Sequence, residues 1–243
     1  MGIKVIPEIS SGVLSASKEF RSKAGQFRSL LMRWARRNGR SFPWRRTSDP
    51  FKTLVAEMML QRTRSDQVTP VYRKFLCRYP TVSELANAAT DEVREILHPL
   101  GLAFRANTFQ RLARVVVEQG QDTPPIRAEE AIKLPGVGPY AASAVDAFLG
   151  GRRIPLVDAN IGRVISRVFE IGRPNWRYAS SSERAAIYEA AAICMGRVRP
   201  RSYHYALLDF AAKVCKPVQP ECPNCPMHRA RICAYCENKA GIG

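Results

Sequence analysis

Leu134-Pro135-Gly136-Val137-Gly138-Pro139-Tyr140 constrains the architecture of this chain more than any other segment, and Asp158, within Val157-Asp158-Ala159-Asn160, follows Gly138 by twenty residues. Glycines at 136 and 138 remove the Cβ atoms that would hold a polyanion at a distance, and they permit positive φ. Pro139 suits the first position of a new helix, whose leading amides have no acceptor within the helix. The turn can therefore grip a phosphate with main-chain N–H groups, and the spacing predicts a carboxylate at Asp158 within one helix length of it. Gly136-Val137-Gly138-Pro139-Tyr140-Ala141 also satisfies G-x-G-x-x-A, the dinucleotide fingerprint, but that fingerprint needs a strand before it. The preceding Arg127-Ala128-Glu129-Glu130-Ala131-Ile132-Lys133 consists of helix formers without a β-branched run. Helix, tight turn, helix is the favoured reading, with a plain helix-helix turn as the alternative that the local sequence leaves open.

Charge narrows the partner. The 243 residues carry 38 Lys and Arg against 21 Asp and Glu, a formal net charge of +17, with arginine gathered in Arg33-Trp34-Ala35-Arg36-Arg37, Arg45-Arg46, Arg62-Thr63-Arg64 and Arg197-Val198-Arg199-Pro200-Arg201. An excess of this size points to a polyanion rather than to a merely solvated face. With 46% hydrophobic residues the chain can fill one sizeable core or two modest ones. No apolar run reaches the ~20 residues that a membrane span needs. Met1-Gly2-Ile3-Lys4-Val5-Ile6-Pro7-Glu8 has no secretory apolar stretch, and Ile6 stands where a myristoylation signal has Ser or Thr. The expectation is a soluble monomer without a membrane partner, cytoplasmic and nucleoid-associated.

Five of the seven cysteines, Cys215, Cys222, Cys225, Cys233 and Cys236, fall in the last thirty residues in the order C-x6-C-x2-C-x7-C-x2-C. A disulfide framework is out of place in a reducing compartment. Close Cys-x2-Cys pairs let two thiolates converge on one metal centre, and four such ligands hold zinc or an iron-sulfur cluster. A zinc ribbon would pair Cys222/Cys225 with Cys233/Cys236 across only seven residues and strand Cys215, so the spacing favours the cluster. Cys77 and Cys194 lie in helical, partly apolar contexts and read as core.

The remainder reads as an almost strand-free set of helices. Apolar residues recur at helical spacing over Gln26 to Arg37, Lys52 to Arg62, Val68 to Arg78 and Arg105 to Val117. Thr81-Val82-Ser83-Glu84 and Ser180-Ser181-Ser182-Glu183 are capping boxes that start two more. Asn160 to Phe169 and Tyr203 to Val214 complete the set, and Gln121-Asp122-Thr123-Pro124-Pro125 is a linker before the hairpin. Residues 1–20 are expected to form a mobile N-terminal segment.

Taken together, Phe42-Pro43-Trp44-Arg45, Asp49-Pro50-Phe51, Ala56-Glu57-Met58-Met59-Leu60-Gln61-Arg62-Thr63, the glycine hairpin, Val157-Asp158-Ala159-Asn160 and the terminal cysteines resemble the helix-hairpin-helix DNA glycosylases of the endonuclease III superfamily. The likeness covers roughly residues 25 to 236, and it is nearest to the Mig-type enzymes that remove thymine or uracil opposite guanine and to the MutY adenine glycosylases. It implies an all-α, bilobal endonuclease III-like fold with bent DNA across the cleft. Residues 48–152 would form a helical barrel domain with the helix-hairpin-helix, and 21–47 with 153–243 an iron-sulfur cluster domain. The implied substrate is double-stranded DNA containing a mismatched or damaged base.

Breaking an N-glycosidic bond builds positive charge on the sugar and negative charge on the leaving base, so a carboxylate near the sugar and an acid near the base both help. The resemblance implies that Asp158 is the family's carboxylate, although on spacing alone it is equally a helix N-cap before Asn160. Glu57, beside Leu54, Val55, Met58 and Met59, matches the glutamate that contacts the extruded base. A dry site would raise its pKa, while a surface place on an amphipathic helix is the plainer reading. Superfamily members that also cut the strand carry lysine where this chain has Tyr140, so a monofunctional enzyme with Tyr140 lining the pocket is implied, against a plain core tyrosine. Gln61 and Arg62 match the pair inserted into the gap left by the flipped nucleotide. Phe104 is a further wedge candidate, although its loop is one residue shorter than the Mig pattern. Leu134, Gly136, Val137 and Gly138 would hold the DNA backbone.

A [4Fe-4S] cluster is implied on Cys215, Cys222, Cys225 and Cys233, the last chosen because the nearer cysteine closes the smaller loop. The family's usual C-x6-C-x2-C-x5-C spacing is not kept, and Cys236 stays open as the fourth ligand. The cluster would be structural and support a loop from which Lys213, Lys216 and Arg229 reach phosphates. MutY enzymes usually carry a further C-terminal domain, whereas this chain stops just after Cys236. Thymine or uracil opposite guanine is therefore the expected target, with a MutY-like adenine glycosylase and a non-catalytic helix-hairpin-helix DNA-binding module as alternatives.

Overall fold

The computed structural model describes Leu14, residues 17–175 and residues 178–236, and among these residues the regular elements are all helical. Ser41–Gly150 forms one compact unit, and the described parts of Ile6–Arg40 and Gly151–Gly243 form a second. No helix among the described residues is long and apolar enough to cross a membrane.

In the Ser41–Gly150 unit the central element is the Pro50–Met59 helix. Asp49 opens it by accepting the N–H groups of Phe51 (2.8 Å) and Lys52 (3.3 Å), and Pro50 fills the first position. Every residue from Thr53 to Met59 is buried, the pattern of a helix enclosed on all sides. The apolar period suggests a helix running to Arg62, but it ends at Met59, with Leu60 as its cap and Arg62 in left-handed backbone at φ 64°. Trp44, buried in the turn before this helix, meets Tyr72 edge-on at 5.4 Å, and the Tyr72 hydroxyl donates to the Lys52 carbonyl (3.2 Å).

The Ser65–Arg78 helix buries Val68, Val71, Tyr72 and Phe75, a single stripe at three- and four-residue spacing. Cys77 lies off that stripe and is exposed, which corrects its reading as core; Cys194 is buried as expected. The capping box of Thr81 and Glu84 is formed, and Val82–Ala86 packs on Ala106–Glu118. A helix not anticipated from the sequence, Thr90–Leu97, buries Val93, Ile96 and Leu97.

In the second unit, Ala159–Phe169 plays the central part, with every residue from Ile161 to Phe169 buried. Lys18–Asn38 lays Ala24, Phe27 and Leu31 against the core, packing on Ser181–Met195 and Pro200–Lys213. This first helix begins inside the stretch expected to be mobile, because the Ser17 hydroxyl accepts the Phe20 N–H (3.1 Å) and the Phe20 ring meets Phe169 at 5.1 Å. The rest of that stretch, apart from Leu14, lies outside the described residues.

His204, 1% exposed on the Pro200–Lys213 helix, sets a pH limit on this unit. Its Nε2 lies 3.0 Å from the Ile154 carbonyl, which can only accept, so Nε2 carries the hydrogen of a neutral ring. Burial pushes the imidazole down to about 4 from an ordinary 6.5. The unfolded chain therefore takes up a proton that the folded chain refuses. Stability is complete above about pH 6.5, falls by about 1.4 kcal/mol per pH unit toward pH 4, and levels off below, a loss of roughly 3 kcal/mol. Urea midpoints measured from pH 7 to pH 4 should show this slope, and His204→Gln should flatten it relative to the unsubstituted chain.

Candidate nucleic-acid interface and catalytic groups

The hairpin is built from the one-turn helix Ala128–Ala131, the glycine turn and the helix Pro139–Val145, which continues as a π-turn over Asp146–Gly150. Asp146, 1% exposed, ties the two arms together by accepting the Ala128 N–H at 3.0 Å. Gly136 has φ 77°, and a Cβ there would stand 2.3 Å from Thr108 Cγ2. Gly138 differs from expectation: its φ is −86°, and a Cβ there would meet nothing within 4 Å. Backbone conformation thus requires glycine at 136 only, whereas 138 caps the next helix and leaves its first amides uncovered by any side chain.

A paired test separates the two roles. Gly136→Ala is expected to cost roughly 2–3 kcal/mol, from overpacking against Thr108 and left-handed backbone, read as a lower denaturant midpoint. Gly138→Ala should leave the midpoint within about 0.5 kcal/mol. Weaker DNA binding by Gly138→Ala alone would assign that glycine to phosphate contact.

Several other candidates belong to the same unit as the hairpin. Leu134 and Val137 are buried beneath the turn, Tyr140 is half-buried in the first turn of its helix rather than a core residue, and Glu57 is 8% exposed on the enclosed helix rather than on a surface. Met58, the next residue, faces the hairpin, with its Cε 3.3 Å from the Cβ position of Gly136. Beyond the helix, Gln61 is half-buried and Arg62 exposed. Arg105 joins this turn to the Phe104 loop: its Nη1 donates to Gln61 Oε1 and to the Met58 carbonyl (3.4 Å), while its guanidinium lies 5.4 Å over the Phe104 ring. Phe104 itself is 74% exposed, so an aromatic ring and the Gln61–Arg62 turn are held side by side. Non-glycine residues enter left-handed backbone at a cost, and at Arg62 the result is a cationic side chain presented to solvent.

Asp158 and the cysteines belong to the other unit. Asp158 is the N-cap of Ala159–Phe169, its Oδ1 accepting the N–H groups of Asn160 (2.9 Å) and Ile161 (2.8 Å). Its Oδ2 accepts Asn160 Nδ2 at 3.0 Å. Arg163, one turn on, donates to Asn160 Oδ1 (3.1 Å), to the Cys215 carbonyl (3.0 Å) and to the Ala211 carbonyl (3.2 Å). The half-buried carboxylate is thereby connected through two side chains to the loop that begins at Cys215. Arg167, a further turn on, holds that loop by the carbonyls of Lys216 (2.6 Å) and Pro217 (2.9 Å) and rests 4.7 Å over the Tyr235 ring.

Cys215, Cys222, Cys225, Cys233 and Cys236 all line one recess of about 290 Å³, counting the part open to solvent, whose other walls include Val168, Phe210, Val214 and Tyr235. No group of three or more His, Cys, Asp or Glu among the described residues is disposed around a single ion position. Burial pushes the thiols of Cys215, Cys225 and Cys236 up, that of Cys225 to about 11. Arg167 counteracts this at Cys215 and the N–H groups of His228 and Met227 at Cys225. Lys213, Lys216 and Arg229 are each engaged within the protein: Lys213 Nζ donates to the Asn38 carbonyl (2.7 Å), Lys216 pairs with Glu221 (2.7 Å), and Arg229 Nε donates to the Pro223 carbonyl (3.3 Å).

The family model described as HhH-GPD superfamily base excision DNA repair protein matches residues 55–182, over half of the chain and spanning both the hairpin and Asp158. The chain belongs to that superfamily. Among its relatives is a thymine/uracil-DNA glycosylase of Pyrobaculum aerophilum, 33% identical over 219 residues, which cover 89% of this chain and 94% of the relative. An adenine DNA glycosylase of Mycobacterium tuberculosis is 33% identical over 198 residues, 81% of this chain and 64% of that protein. The solved structure of a thermostable thymine-DNA glycosylase superposes with a TM-score of 0.79 at 31% identity, covering 89% of this chain and 98% of the other. Within this superfamily chain, three contacts were invisible to the sequence reading: Asn160 on Asp158, Arg163 on the cysteine loop, and Arg105 on Gln61. An arginine at i+3 from Asn160 on an otherwise buried helix is the one local signal that pointed toward the second.

Proposed function

We propose that this chain is a monofunctional mismatch DNA glycosylase that flips thymine or uracil out from opposite guanine and hydrolyses its N-glycosidic bond. The observation that carries the reading is near full-length likeness to the Pyrobaculum aerophilum enzyme, 33% over 89% of this chain, in a protein whose family match includes the hairpin and Asp158.

In this reading, main-chain N–H groups at the start of Pro139–Val145 take a phosphate. The Gln61–Arg62 turn, with Phe104 beside it, fills the gap left by the extruded nucleotide. Glu57 meets the base, and Tyr140 lines its pocket. Asp158, its orientation fixed by three hydrogen bonds, stabilises positive charge on the deoxyribose or orients the attacking water. Tyrosine at 140 supplies no amine for a Schiff base, so the product is an abasic site with an intact strand.

The residues of the cysteine recess fit an iron-sulfur cluster: five thiols line one recess, and Arg163 and Arg167 of the neighbouring helix hold the loop that begins at Cys215. Arg167 Nη1 donates to Cys215 Sγ (3.7 Å), which favours the thiolate there against the cost of burial. Cys215, Cys222 and Cys225 with one of the two remaining thiols would hold it, and its contribution would be to cross-link the 215–236 segment. With Lys213, Lys216 and Arg229 each partnered within the protein, we assign phosphate contact first to the hairpin and the 61–62 turn.

End-labelled duplexes carrying G:T, G:U or adenine opposite oxidised guanine, incubated with the protein and then with alkali, test the proposal. Alkali-dependent cleavage of the G:T and G:U strands is expected. Cleavage restricted to the adenine strand would make the enzyme MutY-like, cleavage without alkali would reject the monofunctional assignment, and no cleavage of any duplex would leave a DNA-binding module.

A further inference from the structure

The chain offers one more thiol than a four-cysteine centre uses, and its path shows why both of the last two reach the recess. Cys225 leads into the one-turn helix Pro226–Arg229, after which Arg231 takes left-handed backbone at φ 52°. The Ile232 N–H returns to the Met227 carbonyl (3.0 Å) and the Arg231 N–H to the His228 carbonyl (2.9 Å), the paired closure of a Schellman cap. Met227 and Ile232, both buried, supply the apolar contact that accompanies such a cap. The closure turns the chain back, so the residues between Cys225 and Cys233 return the second cysteine to the recess. One further turn, closed by the Cys236 N–H on the Cys233 carbonyl (3.1 Å), sets Cys236 three residues on and therefore on the same side.

Burial does not distinguish the two: each is 6% exposed, and each lines the recess together with Cys215, Cys222 and Cys225. Cys233 Sγ lies 3.7 Å from the Arg167 carbonyl, and Cys236, three residues on, lines the same recess beside Cys222 and Cys233. A fifth thiol within the same recess is placed to take over a neighbour's bond.

We propose that Cys233 and Cys236 are interchangeable fourth ligands of the centre, one bound while the other remains a thiol. The inference rests on the cluster reading above. In passing between the two forms, one iron–thiolate bond to Cys233 is replaced by one to Cys236, and the proton of the Cys236 thiol moves to the released Cys233 sulfur. No electron is transferred and no oxidant is required. The centre would then survive oxidation or alkylation of either thiol.

The test uses the full chain purified without oxygen, with bound iron, acid-labile sulfide and visible absorption as readouts. The unsubstituted protein should hold roughly 4 iron atoms per chain. Cys233→Ala and Cys236→Ala should each keep that content, while the double variant should fall to the level of Cys215→Ala. Loss of iron in either single variant alone, or its retention in the double variant, would overturn the inference while leaving the cluster reading intact. Absence of iron and sulfide from the unsubstituted protein would remove the cluster reading, and the inference with it. Far-UV circular dichroism checks each fold, and a variant that loses helicity is replaced by its serine counterpart, read by the same iron count.

Discussion

Asp158→Asn is expected to bind mismatched duplex as the unsubstituted protein does and to release the base on the order of 10³-fold more slowly. The geometry makes this substitution informative because it separates two roles of one side chain. Asparagine caps helices about as well as aspartate, so its carbonyl oxygen can still accept the N–H groups of Asn160 and Ile161, and the Ala159–Phe169 helix should keep its start. What disappears is the negative charge and the acceptor that faces Asn160 Nδ2, since an amide nitrogen placed there donates instead. Asp158→Ala removes the cap as well and should cost about 1 kcal/mol of stability in addition. Single-turnover release from a G:U duplex, with affinity from gel shifts, distinguishes the outcomes. If Asp158 serves the helix alone, asparagine will be silent in both assays, and the catalytic assignment fails.

The elements that were legible in the sequence are those whose cause is local. Ser180 and Glu183, like Thr81 and Glu84, form their capping boxes because both partners lie within four residues. Pro139 opens a helix because its fixed φ suits that position alone, and Gly136 takes positive φ as the turn requires. The end of the Pro50–Met59 helix was not legible. The apolar pattern runs on to Leu60, whereas the turn through left-handed Arg62 is met by Arg105, 44 residues from Gln61, a contact that local sequence does not reveal. Cys77 shows the same limit in another form: its context is partly apolar, but the stripe that turns inward is set by Val68, Val71, Tyr72 and Phe75. Asp158 could be read as cap or catalyst from spacing, and its side chain is the cap that spacing suggested. The Asn160–Arg163 connection could not be read, because the carbonyls it reaches are separated from it by 52 and 48 residues.

That connection makes Arg163 the residue whose loss should be felt in both stability and chemistry. Arg163 is 7% exposed, and its guanidinium reaches the carbonyls of Cys215 and Ala211 and the Asn160 side chain. Burial lowers its pKa, and the neighbouring Cys215 counteracts this. Arg163→Met keeps most of the apolar stem and strips those acceptors of their donor. An orphaned buried acceptor costs about 1–3 kcal/mol, so a loss of roughly 4–5 kcal/mol in unfolding free energy is expected. The catalytic part is tested separately with Asn160→Ala, because Asn160 is exposed and its removal should change stability by under about 0.5 kcal/mol. If Arg163 acts on Asp158 through Asn160, Asn160→Ala should slow base release without moving the urea midpoint, and Arg163→Lys should slow it while recovering part of the lost stability. Unchanged release by Asn160→Ala would confine Arg163 to holding the Cys215 loop, and the carboxylate would then owe its orientation to the helix amides alone.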